Sequence, residues 1–142
     1  MGWTFYNSNG EALVQHAESE ATQAEMEAET AGAKFVPPDL VKNSPGVAKA
    51  WCLWSKVGTH AITASYNMSS VTDGSAAGDT DLLVATDFSS GSYVVVCGDE
   101  DGTFGQIQGS SLAAGGFTHY TSGHAGANFD TPNAMIAVFG DQ

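Results

Sequence analysis

From residue 48 onward the chain alternates apolar and polar residues in short runs. Residues 59–68 (THAITASYNM), 92–98 (SYVVVCG), 115–122 (GGFTHYTS) and 134–140 (AMIAVFG) each have the composition of a β-strand. Glycine, aspartate, serine and asparagine interrupt these runs about every 8 to 12 residues, a spacing typical of sandwiches. The pattern predicts seven or eight strands in a mainly β protein, an antiparallel β-sandwich of the jelly-roll-like kind.

The first predicted strand, AKAWCLWSKV at residues 48–57, carries large apolar side chains on both faces. Ala50, Cys52 and Trp54 alternate with Trp51 and Leu53, so a sandwich core can cover only one of the two sets. An exposed cluster of large apolar residues is a liability in a soluble protein. We therefore expect a sister subunit to cover the second face, and Trp51, Leu53 and Trp54 are the candidate subunit contacts.

Residues 1–47 have a different pattern. Residues 17–31, AESEATQAEMEAETA, favour a helix, with alanines at steps of four and three. That helix is either a solvated single helix or frayed linker, or a seam that self-associates. Pro37, Pro38 and Pro45 then exclude a regular helix or a central strand. We expect residues 1–47 to form an N-terminal anchor with a proline-rich connector, and residues 48–142 to form the β-sandwich domain.

The charge of the chain limits its partners. Its formal net charge is −12, with 4 lysines and no arginine, which disfavours nucleic acid and anionic membranes. No apolar run approaches the roughly 20 residues of a membrane-spanning helix, and no secretory signal is recognisable, so we expect synthesis in the cytosol without membrane insertion. Cys52 and Cys97 form no CxxC pair; free thiols are favoured, and a disulfide is the alternative if their strands meet.

Several segments resemble a domain found at the C-terminal ends of bacteriophage tail-fibre and virion-appendage proteins. They are AKAW at residues 48–51, ASYNMSSVTDGSAAGD at 64–79, DFSSGSYVVV at 87–96 and VFGDQ at 138–142. The upstream connector is similar as well, so the resemblance covers residues 21–142. It implies a β-sandwich that assembles as a homotrimer on a virus particle, often at a host-facing tip. Only 47 residues precede the domain, which favours a short fibre, a head fibre or a decoration protein over a long tail fibre.

The sequence offers few groups for catalysis or metal binding. His119 and His124 lie five residues apart, with Asp130 nearby, and are weak metal candidates; exposed positions are favoured for both. Residues 99–102, DEDG, lack the EF-hand pattern and fit a hairpin turn better than a calcium site. No GxSxG motif is present, and the carboxylates cluster in the helix and in turns. We expect no catalytic residue and no cofactor.

The loops between strands are the expected recognition surface, because rigid strands position variable loops. Candidate tip loops are residues 73–80, 99–103 and 121–133. Tyr120, His124 and Phe129 are the receptor-binding candidates, since aromatic rings stack on sugars and proteins; the alternative is that these rings pack inside.

These observations predict a non-enzymatic virion protein, assembled in the host cytoplasm. The leading prediction is a short trimeric fibre or spike that binds a glycan or protein of the host surface. Its partners would be sister subunits and, through residues 1–47, other virion proteins. The alternative is a capsid decoration or head-fibre protein that stabilises the shell, and a polysaccharide-degrading enzyme is the third reading.

Overall fold

The computed structural model describes residues 6, 8–10, 19–30, 32, 34–100, 104–107, 111–122 and 130–140. The chain divides into two compact units, Met1–Ser44 and Pro45–Gln142. The predicted boundary, between residues 47 and 48, lies three residues from this division. Within the described residues, no helix is long and apolar enough to cross a membrane.

The described part of the first unit contains little regular structure. These residues form one short α-helix, α1 (Gln23–Glu27), and one 3₁₀ helix (Pro38–Asn43) that starts at the second proline of the connector. An isolated parallel bridge joins Glu20 to Phe35.

The predicted helix over residues 17–31 is too long: within the described residues 19–30, only Gln23–Glu27 are helical. Thr22 caps the helix, since its hydroxyl accepts from the amide of Glu25 and the Glu25 carboxylate accepts from the amide of Thr22. The helix ends at Glu27 with Ala28 as its C-cap, and it does not continue because Glu29 has a positive φ of 54°. Ala24 and Ala28 are exposed, and five helical residues are too few for an alanine seam across two heptads.

The second unit is a β-sandwich, as the sequence predicts. Its described strands are β1 (Ala50–Ser55), β2 (Ala61–Tyr66), β3 (Met68–Asp73), β4 (Asp79–Val84), β5 (Val94–Asp99), β6 (Phe104–Ile107), β7 (Gly116–Ser122) and β8 (Ala134–Phe139). One antiparallel sheet has the order β2-β1-β8-β5 and the other β3-β4-β7-β6. The hairpins β1–β2, β3–β4 and β6–β7 each stay within one sheet, whereas the connections β2–β3, β4–β5, β5–β6 and β7–β8 pass from one sheet to the other.

The core lies between the two sheets and follows the alternation of each strand. Trp54, Leu82 and Val138 are fully buried there, with Phe88, Tyr93 and Phe117 packed around them at one end. Tyr93 stacks on Phe88 with ring centroids 4.5 Å apart, and its hydroxyl donates to the carbonyls of Ala113 and Gly116. Cys52 is buried in this core and Cys97 is half-buried; both are free thiols, as favoured from the sequence.

Candidate functional site

The outward side of the sheet β2-β1-β8-β5 is an apolar surface. Its strand register places twelve residues on this side, and none of them carries a charge. We call this surface the apolar face. It comprises Trp51, Leu53, Ser55, Ala61, Ala64, Tyr66, Val94, Val96, Gly98, Met135, Ala137 and Phe139.

The centre of the apolar face combines large and small side chains. Trp51 of β1 pairs with Tyr66 on one side and with Ala137 on the other, and Ala137 pairs in turn with Val96. Trp51 is 41% exposed and Val96 58% exposed, so the second unit by itself leaves the middle and the β5 edge of this face open in its described part. A tryptophan beside an alanine makes a ridge and a hollow, which suits packing against another surface.

The three candidate subunit contacts divide between the two sides of β1. Trp51 and Leu53 belong to the apolar face, where the sequence placed them. Trp54 is a correction, because its side chain is fully buried in the core of its own chain. Its indole Nε1 donates to Thr80 Oγ1 at 3.4 Å, so Trp54 has no surface to offer a sister subunit.

The outward side of the other sheet is polar. Thr118 donates to Asp81 at 2.7 Å, and Tyr120 donates to Gln106, which donates in turn to Ser122. A groove of ≈ 480 Å³ on this side includes Asp81, Thr118 and the exposed Leu83. The two outer surfaces of the sandwich therefore differ in chemistry, and only one of them resembles a subunit interface.

Of the receptor-binding candidates, the structure describes Tyr120 alone. This residue lies on the polar outer side of β7, half-exposed, with its hydroxyl held by Gln106. The alternative that its ring packs inside is therefore wrong for Tyr120. His124 and Phe129 lie outside the described residues, so the three candidates cannot be joined into one site.

A buried polar cluster lies at one end of the core, directly beyond β1. The amine of Lys56 donates to the carbonyl of Gly78 at 2.5 Å and to Thr121 Oγ1 at 2.6 Å, and lies 3.3 Å from Nδ1 of His119. Lys56, His119 and Thr121 are fully buried. Three acceptors match the three N–H bonds of a protonated amine, so the lysine is well paired despite its burial.

His119 connects this lysine to an acidic group. Its Nε2 lies 3.8 Å from Oδ1 of Asp99, and both side chains are fully buried. Neither of these two atoms has a hydrogen bond of normal geometry within the described residues. Gly105 allows the close approach, because a Cβ at that position would lie 2.7 Å from His119 Nε2 and 3.0 Å from Asp99 Oδ2.

Burial shifts the acid–base properties of the cluster. It lowers the pKa of His119 to about 3, and the charge of Lys56 acts in the same direction. Burial also lowers the pKa of Lys56, against nearby carboxylates that raise it, Asp99 foremost. The pKa of Asp99 is raised by burial, against the lowering effects of Thr121 and Lys56. His119 is therefore a neutral ring at neutral pH, between a cation and a carboxyl group.

A second buried histidine, His60, lies at the same end. Its Nδ1 is 3.2 Å from Thr80 Oγ1, and its Nε2 is 3.7 Å from a carboxylate oxygen of Asp73 and 3.9 Å from one of Asp130. Asp73 and Asp130 are exposed, so His60 faces the solvent boundary of the cluster.

The expectation that His119 is an exposed loop or strand residue is wrong, because β7 turns it into the core with Phe117 and Thr121. Among the residues that the structure describes, no group of three histidine, cysteine or acidic side chains is arranged to hold a metal ion. His119 therefore has no described metal partner, and its neighbour in the predicted pair, His124, lies outside the described residues.

The alternation of β1 predicts that Lys56 points inward, although Lys56 was not among the candidate site residues. Ala50, Cys52 and Trp54 point inward, and the next step of two reaches Lys56. The same step along β7 leads from Phe117 to His119 and Thr121. Alternation along a strand does not predict which polar residues contact each other across the two sheets.

Comparison of the chain with protein-family models, with curated proteins and with solved structures finds no match. The resemblance to the tail-fibre and virion-appendage domain stays a prediction from the sequence motifs.

Proposed function

We propose that this protein is a non-enzymatic structural subunit that assembles with copies of itself through the apolar face. The single observation that supports this proposal is the uncharged, solvent-open surface centred on Trp51 and Val96. Elsewhere the chain is strongly acidic, with a formal net charge of −12. A surface whose strand residues carry no charge fits an equally uncharged partner, and a second copy supplies one.

The size of the face suits such a contact. Four strands of about six residues form a surface of roughly 19 by 20 Å. Three copies that meet through this face would together remove roughly 1,100 Å² from water, close to the ≈ 1,000 Å² expected of a specific interface. The number of copies rests on the resemblance alone, which implies three.

The proposed setting is a bacteriophage virion, where the subunit serves as a short fibre or spike. This part of the proposal depends on the motifs of residues 48–96 and on the tip loops. Labelling purified particles with an antibody against the chain tests it: we expect label at the tail or its appendages. Label over the shell would instead show a decoration protein, and particles without label would remove the virion assignment.

Self-assembly is tested by sedimentation of the purified full-length chain. We expect a species of three times the 14.6 kDa chain mass at micromolar concentration. Val96→Asp should release monomers, because it places a charge on the apolar face without touching the core. Leu83→Asp is the matched control: Leu83 is also an exposed strand residue, but it lies on the other sheet, and its change should leave assembly intact.

Two outcomes would contradict the proposal. A folded monomer at micromolar concentration would exclude stable self-association. A monomeric full-length chain whose shortened form, residues 45–142, does associate would show that residues 1–44 cover the face instead of a second copy.

A further inference from the structure

We propose that Lys56, His119 and Asp99 form an acid-sensitive lock that holds one end of the sandwich closed. This inference is independent of the proposed assembly and virion role. It rests on where the three residues lie and on the protonation state that their contacts require.

The lock joins the end of β1 to four other segments of the chain. The Lys56 amine holds the carbonyl of Gly78, in the turn before β4, and the hydroxyl of Thr121, near the end of β7. The Lys56 amide donates to the carbonyl of Thr131, and the Thr121 amide donates to that of Gly78. Asp99 ends β5 at the same place. Gly78 belongs to the predicted loop 73–80, and Asp99 and Thr121 are the first residues of the predicted loops 99–103 and 121–133.

The contacts define which nitrogen of His119 carries the proton. Since the Lys56 ammonium can only donate, Nδ1 of His119 must accept from it, 3.3 Å away. The ring proton is then on Nε2, which faces Asp99. A second proton on Nδ1 would remove the acceptor and place two cations side by side in a fully buried site. The closed arrangement therefore disfavours protonated His119.

Apart from Asp99, no charged side chain in the described part of the cluster lies against His119 to compensate for that proton. On either side of His119 in its sheet, Thr80 of β4 and Ile107 of β6 are uncharged, and Gly105 has no side chain. From the first sheet, Trp54 contacts the ring edge-on, with centroids 5.1 Å apart.

The other titratable groups near the lock interact with Lys56 or are separated from His119 by Thr80. The carboxylates of Asp73, Asp79 and Asp130 support the charge of Lys56, and His60 is separated from the lock by Thr80.

The direction of the pH effect follows from linkage. When this end opens, His119 becomes solvated and regains an ordinary pKa of about 6.5. The closed form, in which its pKa is about 3, takes up that proton far less readily. Opening is therefore favoured as pH falls below about 6.5. The opening constant should rise by up to about 25-fold between pH 7 and pH 5. Asp99 opposes part of this gain, because its raised pKa lets the closed form accept a proton.

Amide hydrogen exchange of the full-length chain at pH 7 and pH 5 tests the lock. The amides of Lys56 and Thr121 report on the locked end, and those of Lys49 and Val84, bonded to Val138 and Gly115, report on the opposite end. After correction for intrinsic exchange, we expect the opening constant to rise about 5- to 25-fold at the locked end, and less at the opposite end.

Two variants identify the responsible group. Gln at position 119 can accept from Lys56 and donate toward Asp99 but cannot titrate. In His119→Gln the opening constant of the locked end should therefore no longer rise between pH 7 and pH 5. Asp99→Asn removes the opposing group, so in this variant the opening constant should rise more than in the wild type. An equal rise at both ends of the wild-type chain overturns the lock, as does an unchanged rise in a folded His119→Gln.

Discussion

At the level of single residues, Lys56 brings a primary amine between two sheets of a core that is otherwise largely apolar. Its burial is tolerable only because Gly78, Thr121 and His119 satisfy it together. A buried ion with complete partners adds little net stability, yet it fixes one arrangement of the elements that supply those partners. The lysine thus specifies how this end of the sandwich closes.

Replacing Lys56 with methionine should lower the free energy of unfolding by about 3 kcal/mol, because His119 Nδ1 and Thr121 Oγ1 lose their buried donor. The carbonyl of Gly78 loses one of its two donors and keeps the amide of Thr121. Urea unfolding followed by tryptophan fluorescence measures this, since Trp54 lies against the cluster. Lys34→Met is the control, because Lys34 pairs with Glu25 near the surface of the other unit and should matter little. Equal stability of the two variants would contradict a structural role for Lys56.

At the level of elements, the strands and their faces were largely predictable. The inward set Ala50, Cys52 and Trp54 follows directly from alternation, as does the hairpin β3–β4 around the turn of residues 74–78. Burial of β1 on both sides is not seen within one chain, since Trp51 is exposed. Alternation along a strand defines which face a residue occupies. Whether that face is buried depends on the other segments or subunits that pack against it.

The helix and the buried cluster show two other limits of sequence reasoning. High helix propensity over residues 17–31 was overridden by the Thr22 cap and the left-handed Glu29 in the described part. The meeting of Lys56, His119 and Asp99 depends on the packing of three strands from two sheets. No spacing along the chain encodes that contact.

The pairing of β4 with β7 gives a prediction at this scale. Gly116 opens β7 so close to β4 that a Cβ would lie 2.2 Å from the carbonyl oxygen of Leu82. Gly116→Ala should therefore push the strands apart and lower the free energy of unfolding by about 2 kcal/mol or more.

Gly115→Ala is the matched control, because a Cβ there would meet Asp87 at 3.4 Å, close to an ordinary contact. Thermal unfolding of the two variants separates them. A melting temperature of Gly116→Ala equal to that of Gly115→Ala would show that β7 lies farther from β4 than described.

At the level of the whole molecule, charge and apolar surface are kept apart. The net charge of −12 opposes any association between copies, while the apolar face favours it. Charge repulsion acts over a distance that salt shortens, from about 30 Å at 0.01 M to about 10 Å at 0.1 M. Contact between apolar side chains needs no such screening. The balance between the two must therefore depend on ionic strength.

Self-association of the full-length chain should strengthen as salt is raised, roughly tenfold in the association constant between 0.02 and 0.5 M sodium chloride. Sedimentation equilibrium at several concentrations measures it. Val96→Asp should remain monomeric at both ends of this range. The free energy needed to desolvate a carboxylate on the apolar face exceeds the reduction in charge repulsion that salt provides. Weaker association of the wild-type chain at high salt would mean that opposite charges hold the copies together. The contact would then lie away from Trp51 and Val96, on a surface where charged residues meet.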